Sequence, residues 1–260
     1  MAGNEIEITK FLIQQTGKLN LKHVGLVKEI TSPIKDGQYA LINDIESLKF
    51  VSTEQAGKKA DIYINGKGIS LKQSGGSFPF NRLQRAELLN VFKYIKSRDP
   101  EEELKLIDKE VDDFHNGKFE SRSRPWQNFF DEDDFRKLVK FLMMDGSPNL
   151  GISNFPADFI LEAPEKAISE SNISIYTFDE YFDWFKKNIY FAIRRQWIGQ
   201  LSHSEHNRAL SIAKKPGNKK WVYPTISGLP RKNKKTNERW RSDIEENDRR
   251  TVYMIFIEKK

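Results

Sequence analysis

Hydrophobic and polar residues alternate with a period of two around one glycine-containing turn of the chain. Over residues 60–72, apolar side chains fall on both sides of Asn65-Gly66, at positions 62, 64, 69 and 71. Strict alternation is typical of half-buried strands, and an Asn-Gly pair supplies the positive φ angles of a tight primed turn. The sequence therefore predicts a β-hairpin over residues 60–72.

A period of 3.6 residues predicts helices elsewhere along the chain. Residues 177–180, Thr-Phe-Asp-Glu, fit a capping box, and aromatic and aliphatic side chains continue at helical spacing from Phe178 to Trp197. Asn81 is placed to cap another helix. We expect helices over residues 6–15, 82–96, 99–114, from 131 onward and 177–197, and a closing strand over residues 251–257.

Composition narrows the class of protein. The 260 residues, of 30.4 kDa, are enough for one sizeable core, and 38% apolar with 31% charged residues is typical of a folded, water-soluble chain. There is no cysteine, which excludes disulfides, cysteine zinc sites and thiol nucleophiles. We expect a cytoplasmic protein that does not enter a membrane.

Positive charge is concentrated in one part of the chain, residues 214–241, which we call the basic segment. It carries a net +9 within a total of +6, so the rest of the chain is mildly acidic. A polyanion partner suits this distribution, although a solvated charge run is the alternative. Trp221, Tyr223 and Trp240 interrupt the segment and favour nucleic-acid binding. The candidate DNA-binding residues here are Lys219, Lys220, Arg231, Lys232, Lys234 and Lys235.

The alternation of side chains along the two predicted strands places three polar residues on one face of the hairpin. Asp61 faces Ser70 if the turn centres on Asn65-Gly66, and it faces Lys72 if the turn centres one residue later. In either register Asp61, Ser70 and Lys72 share one face, and the apolar residues at 62, 64, 69 and 71 form the buried face.

This carboxylate and this amine suit phosphodiester chemistry. Mg²⁺ takes one or two carboxylates together with substrate oxygens, which suits Asp61. A neighbouring lysine orients or deprotonates the attacking water, which suits Lys72. The alternative is a cross-strand salt bridge without catalytic meaning.

The pattern Asp61-x8-Ser70-Leu71-Lys72 resembles the PD-(D/E)xK signature of type II restriction endonucleases and related nucleases. The resemblance covers residues 58–87, with Ala60 in place of the proline and Ser70 in place of the second acid. Some restriction enzymes keep Ser-x-Lys and carry the missing acid on the following helix. Here that resemblance points to Glu87, with Glu29 and Glu46 as alternatives.

The resemblance implies an α/β fold with a central mixed β-sheet flanked by helices, the hairpin in its middle, and a helical, basic carboxy-terminal half. It implies a catalytic core over residues 1–125 and a recognition region over residues 126–260, packed as one unit. The expected activity is Mg²⁺-dependent, sequence-specific cleavage of double-stranded DNA by a homodimer. Further candidate DNA contacts lie at the end of the hairpin and the start of the next helix: Gln73, Ser74, Asn81, Arg82 and Arg85.

Two other functions remain open on the sequence. One is a non-catalytic nucleic-acid-binding protein with the same basic segment and an inert hairpin. The other is a repair or recombination nuclease of the same superfamily, which would cut by DNA structure instead of by sequence.

Overall fold

The structure is a computed structural model that describes residues 4–34, 37–51, 57–74, 79–226 and 228–259, with the side chains of residues 79–81 outside the description. The α-helices are α1 (Glu5–Gln14), α2 (Arg85–Tyr94), α3 (Pro100–His115), α4 (Glu132–Lys140), α5 (Phe178–Phe185) and α6 (His203–Ala213). Shorter turns are the π-helix Phe141–Asp145 and the 3₁₀ helices Ser47–Phe50, Trp126–Asn128, Lys186–Asn188, Pro216–Trp221 and Glu246–Asp248.

The strands are β1 (Asn20–Leu21), β2 (Gly25–Leu26), β3 (Ile30–Pro33), β4 (Tyr39–Leu41), β5 (Ile62–Ile64), β6 (Lys67–Gln73), β7 (Pro79–Leu83), β8 (Ser123–Pro125), β9 (Gly146–Ser147), β10 (Gly151–Ile152), β11 (Phe159–Ala163), β12 (Ser174–Tyr176), β13 (Ile189–Ile198), β14 (Val222–Pro224) and β15 (Arg250–Lys259). The protein is therefore a mixed α/β chain with several sheets.

The chain forms two compact units. The hairpin unit comprises Met1–Phe78, Arg136–Asn188 and Lys259–Lys260, and the second unit comprises Pro79–Phe135 and Ile189–Glu258. This division describes how the chain packs. The functional division at residue 125, between catalysis and DNA recognition, stays a prediction.

A six-stranded sheet of order β12-β11-β6-β5-β3-β4 organises the hairpin unit. Strands β11 and β6 run parallel and the other neighbours run antiparallel, so the sheet is mixed and the β5–β6 hairpin occupies its middle, as predicted. Ile8 and Leu12 of α1 belong to the same buried cluster as the apolar face of the hairpin. Burial of this face holds the register, because a slip of one residue would turn every buried side chain outward.

The second unit contains a sheet of order β14-β15-β13-β8, with β7 also paired to β15; β14 and β7 run antiparallel to β15, and β8 runs antiparallel to β13. One face of β15 is buried against α6: Val252, Met254 and Phe256 cluster with Ala209 and Ile212. The predicted closing strand is confirmed, and it is a central strand of this sheet.

The predicted helix over residues 177–197 is wrong in its second half. Thr177 caps α5 through the predicted capping box, but α5 ends at Phe185 and Ile189–Ile198 forms strand β13. The apolar residues of this stretch satisfy both periods, and its β-branched and aromatic side chains favour a strand once β8 and β15 are available as partners. The carboxy-terminal half is consequently a mixture of strands and helices, not a helical region.

The predicted helix over residues 82–96 begins later than expected. Arg85–Tyr94 forms α2 with Gln84 at its N-cap, while Leu83 pairs with Ile255 in the sheet. Asn81 is therefore not the cap. The helices predicted over residues 6–15, 99–114 and from 131 onward are confirmed as α1, α3 and α4. In the described ranges, no helix combines the length and the apolar character that crossing a bilayer requires.

Candidate active site

The turn of the hairpin has the geometry that its sequence predicts. Asn65 and Gly66 both have positive φ, 51° and 77°, which is the signature of a primed turn. Tyr63 pairs with Gly68 in the β5–β6 register. This register is the one expected for a turn centred on Asn65-Gly66, and it ends with Ile62 opposite Ile69.

The two faces of the hairpin divide as expected. Ile62, Ile64, Ile69 and Leu71 are buried in the core of the hairpin unit, while Ser70 and Lys72 alternate with Ile69 and Leu71 along β6 and lie on its other face; Asp61 directly precedes β5. Ser70 is almost completely buried, and Asp61 and Lys72 are half-buried. Within the described part of the chain no ion pair of 4.0 Å or less joins Asp61 to Lys72, so the pair is not a cross-strand salt bridge.

Asp61 is held firmly by the backbone of β6. Its N–H donates to the Ile69 carbonyl over 2.9 Å, and its Oδ2 accepts the Leu71 N–H over 2.7 Å. Because one carboxylate oxygen is fixed in this way, the side chain is pre-oriented.

Glu162 on β11 joins this face and is a residue that the sequence analysis missed. It is the register partner of Lys72 in the parallel β6–β11 pair. Glu162 is buried and accepts from Lys259 Nζ over 2.7 Å and from the Tyr181 hydroxyl over 3.3 Å. Burial, followed by the negative charge of Glu162, raises the pKa of Tyr181. The only local sequence signal was an acid closing the apolar run of residues 159–161.

Glu5, at the start of α1, adds a second carboxylate near Asp61. Asn4 anchors this helix end, since its Nδ2 donates to the Ala163 carbonyl over 3.4 Å and to the Pro164 carbonyl. Burial and the charge of Asp61 raise the pKa of Glu5, while Lys72 and Lys58 act in the opposite direction. Glu5, Asp61 and Lys72 therefore interact electrostatically, although they belong to three different parts of the chain.

Lys59 is a further cation beside this face. Its Nζ donates to the Leu142 carbonyl over 2.8 Å. Burial and the positive charge of Lys72 lower the pKa of Lys59 to about 8. The positive charges of Lys59 and Lys72 are therefore close enough to repel each other.

The acids predicted to replace the missing carboxylate belong to three different parts of the chain. Glu87 belongs to α2 of the second unit, where its Oε1 accepts from Lys215 Nζ over 2.9 Å and its buried Oε2 has no partner among the described residues. Glu29 is exposed beside the turn, since its carbonyl accepts the Asn65 N–H. Glu46 is exposed before a 3₁₀ helix.

The predicted DNA contacts near the hairpin are placed as follows. Gln73 is exposed at the end of β6, and the Ser74 N–H donates to the Ala163 carbonyl over 2.8 Å. The glycine-containing loop that follows, residues 75–77, and the side chain of Asn81 lie outside the described residues. Arg82 is exposed on β7.

Buried Asp108 engages two of the predicted DNA-binding cations inside the second unit. Arg85 donates to its two oxygens over 2.8 and 2.9 Å, and Lys220 lies 3.1 Å from Oδ2. Trp221, predicted to face nucleic acid, is buried and donates to the same carboxylate over 2.7 Å. The other predicted residues of the basic segment are exposed: Lys219, Arg231, Lys232, Lys234 and Lys235.

The donor set on the hairpin suits a hard divalent cation with few protein ligands. The described residues contain no group of three or more His, Asp or Glu side chains arranged to hold a metal. Mg²⁺ does not require one, because it is bound by one or two carboxylates and completes its shell with water and phosphate oxygens. Asp61 and Glu5 provide that number.

Comparisons with known proteins give one weak likeness. No family model matches the sequence, and no curated protein matches it. Among solved structures, the chain is similar to restriction endonuclease MspI, solved in complex with its cognate DNA, with a TM-score of 0.28 and 10% identity over 78% of this chain and 66% of that chain. A likeness this weak does not assign a function, so the functional proposal rests on the hairpin residues.

Proposed function

We propose that this protein is a sequence-specific endonuclease that hydrolyses double-stranded DNA with Mg²⁺, in the manner of type II restriction enzymes. The observation that carries the proposal is the polar face of the hairpin. Ser70 and Lys72 share this face, Asp61 is hydrogen-bonded to the β6 backbone beside it, and Lys72 has no carboxylate within 4.0 Å among the described residues. A half-buried lysine that has no ion-pair partner and lies near a fixed carboxylate contributes little to stability and is well placed to act in catalysis.

Asp61 and Glu5 would hold the metal. The charge of Asp61 disfavours ionisation of Glu5. A divalent cation would remove this repulsion, because each carboxylate then faces opposite charge. When bound, Mg²⁺ supplies a Lewis acid that polarises a phosphoryl oxygen and acidifies a water. Glu87, the ligand predicted from the sequence, is the alternative to Glu5.

Lys72 would act on the water and on the phosphate. The charges of Lys72 and Asp61 both act on Glu5, so the ammonium lies in the neighbourhood of Asp61, where it would orient the attacking water and balance the charge that develops on the phosphate. Ser70, buried two residues before Lys72 on β6, would support the site by filling the space beside it.

Lys259 would leave the Lys72 ammonium available for its proposed role in catalysis. Glu162 is the register partner of Lys72, and its carboxylate is instead neutralised by Lys259. We therefore assign Lys259 a positioning role in the proposed site.

DNA would be held by the exposed cations of the basic segment, and a palindromic site would be cut by a homodimer. Residues Lys219, Lys232, Lys234 and Lys235 are exposed and suited to phosphate contacts. Arg85 and Lys220 pair with Asp108 and are better suited to holding the second unit together.

Incubation of the full chain with plasmid DNA and Mg²⁺, against an EDTA control, tests the proposal. Discrete bands with mapped ends at one sequence support a restriction enzyme. Cuts that follow DNA structure instead of sequence would indicate a repair or recombination nuclease. Retarded DNA without cleavage would indicate a non-catalytic binding protein.

Two matched substitutions then identify the second metal ligand. Glu5→Gln and Glu87→Gln each remove one charge and keep the side-chain size. Loss of a ligand raises the Mg²⁺ concentration that half-maximal cleavage needs, by about tenfold or more. We expect this shift for Glu5→Gln. A shift for Glu87→Gln alone would show instead that Glu87 is the second metal ligand.

A further inference from the structure

The second unit contains a cavity that the hairpin site does not use. Its volume is about 780 Å³. Arg122, Arg194, Arg195 and Arg231 line it, together with an apolar wall that includes Trp197. The volume lies in the range of pockets for small organic ligands.

The carboxylates near this cavity already have partners. Glu205 is the one acid among the lining residues, and its two oxygens accept from Arg208 over 3.0 Å and from Gln196 over 3.1 Å. Arg122 pairs with Glu258 over 2.8 Å. The carboxylates that approach the cavity are thus already engaged with cations or amides.

Two of the lining arginines remain available to a ligand. In the described part of the second unit, neither Arg194 nor Arg231 has a carboxylate within 4.0 Å. The guanidinium of Arg194 lies over the ring of Phe256, 5.3 Å from its centroid, which holds the group in place without neutralising it. Arg231 is exposed at the mouth formed with Leu229 and Pro230.

The positive charge of Arg194 also acts on Arg82, an arginine that does not line the cavity. Burial, then the positive charges of Arg208 and Arg194, lower the pKa of Arg82. A set of arginines that repel one another is stabilised when an anion binds among them.

Hydrogen-bond donors beside the cavity also lack acceptors. Gln200 Nε2 and Trp197 Nε1 are buried and have no partner among the described residues. Both residues line the cavity. An unsatisfied buried donor costs free energy that a ligand acceptor can recover.

We propose that this cavity binds a nucleotide, with the phosphate held by Arg194 and Arg231. The planar guanidinium group binds phosphate oxygens bidentately. Trp197 and the wall of Leu229 and Pro230 offer an apolar surface to a base, and the Gln200 amide offers a donor to a base acceptor. The nucleotide could come from solution or from a DNA strand. The binding does not require the hairpin to be catalytic.

Isothermal titration calorimetry of the full chain, with one ligand at a time, tests this site. The probes are the four deoxynucleoside 5′-monophosphates, inorganic phosphate, and a short single-stranded oligonucleotide with and without one abasic position. The test variant is Arg194→Gln with Arg231→Gln. The matched control is Lys93→Gln with Lys105→Gln, which removes the same charge from exposed residues of the same unit that do not line the cavity.

We expect saturable binding of at least one monophosphate or of the intact oligonucleotide, more tightly than inorganic phosphate. The arginine double variant should weaken it by about tenfold or more and the lysine control by less than about twofold. Tighter binding of the free monophosphate identifies a soluble nucleotide, and preference for the intact over the abasic strand identifies a nucleotide of DNA. Equal binding of phosphate and nucleotides, or no difference between the two double variants, would overturn the proposal.

Discussion

Lys72 and Glu162 are register partners across the parallel β6–β11 pair, yet Glu162 forms its ion pair with Lys259, over 2.7 Å. Both members of that ion pair are buried, at 5% and 6% side-chain exposure. A buried carboxylate needs a compensating cation, and Lys259 supplies it from the carboxy-terminal end of β15. Lys72 is thereby left free for another role on the same face.

Replacing Lys259 by methionine should destabilise the protein strongly. Loss of one partner leaves the Glu162 charge buried and uncompensated, which costs about 3–5 kcal/mol. Urea unfolding measures the change, and the double variant Lys259→Met with Glu162→Gln should recover most of the loss. Lys22→Met is the control, because Lys22 pairs with Glu180 at the surface and should cost less than about 1 kcal/mol. Equal losses for Lys259→Met and Lys22→Met would show that the buried pair is not important.

Gly68→Ala should damage the hairpin more than Gly66→Ala. A Cβ on Gly68 would lie 2.5 Å from the Pro156 carbonyl oxygen, a backbone atom that cannot move aside cheaply. We expect a loss of about 3 kcal/mol from this clash. A Cβ on Gly66 meets nothing within 4 Å, so its cost is the left-handed backbone alone, about 1 kcal/mol. Unfolding free energies in urea decide the order, and the reverse order would contradict the packing of β6 against Pro156.

Glu103 should make the stability of the protein fall as pH rises. Burial, followed by the charges of Asp134, Asp131 and Asp99, raises the pKa of Glu103 from 4.5 to about 7 against the opposing hydrogen bond from Ser97. Between these two pH values the folded state keeps a proton that the unfolded chain releases. The free energy of unfolding therefore decreases as pH rises through this window and is fully reduced above pH 7.

Glu103→Gln removes this pH dependence. The amide is neutral at every pH and can still accept from Ser97. Thermal unfolding midpoints of the two proteins should be similar near pH 5, and the variant should be more stable by several degrees near pH 8. Parallel pH curves for the two proteins would show that Glu103 does not titrate in this range.

Neutralising exposed cations of the second unit should weaken DNA binding, whereas neutralising a cation that is ion-paired inside the unit should lower stability. Lys234→Gln with Lys235→Gln removes two exposed charges, so the slope of log K for DNA against log salt should fall by about 2. Arg85→Gln instead breaks the bidentate pair with Asp108 and should lower thermal stability. An unchanged salt slope in the double lysine variant would remove both lysines from the DNA contacts.

The hairpin could be predicted because its determinants are local. The alternation of apolar residues and the Asn-Gly pair specify the two strands, the turn and the buried face, and they do so without reference to the rest of the chain. The β6–β11 pairing joins residues about ninety positions apart, as with Lys72 and Glu162, and no local pattern encodes it. For the same reason the analysis of the sequence missed both Glu162 and its partner Lys259.

Local patterns misled where distant contacts decide the outcome. Residues 189–198 carry a helical stripe, but pairing with β8 and β15 makes them a strand. Trp221 interrupts a basic segment and was expected at a nucleic-acid surface, yet Asp108, 113 positions earlier, holds its indole in the core. Charge patterning shows which residues are cationic, and only the fold shows which of them are already paired.

Cleavage and binding of DNA by Asp61→Asn, measured side by side with wild type, test the central claim most directly. The asparagine oxygen can still accept from Leu71, so the hairpin should fold, as a wild-type unfolding midpoint would verify. Lys67→Gln is the matched surface control, since Lys67 is exposed at the turn end of the same strand. The account predicts that Asp61→Asn lowers Mg²⁺-dependent cleavage by about a hundredfold or more with DNA affinity nearly unchanged, while Lys67→Gln cuts normally. Full cleavage by Asp61→Asn would contradict it.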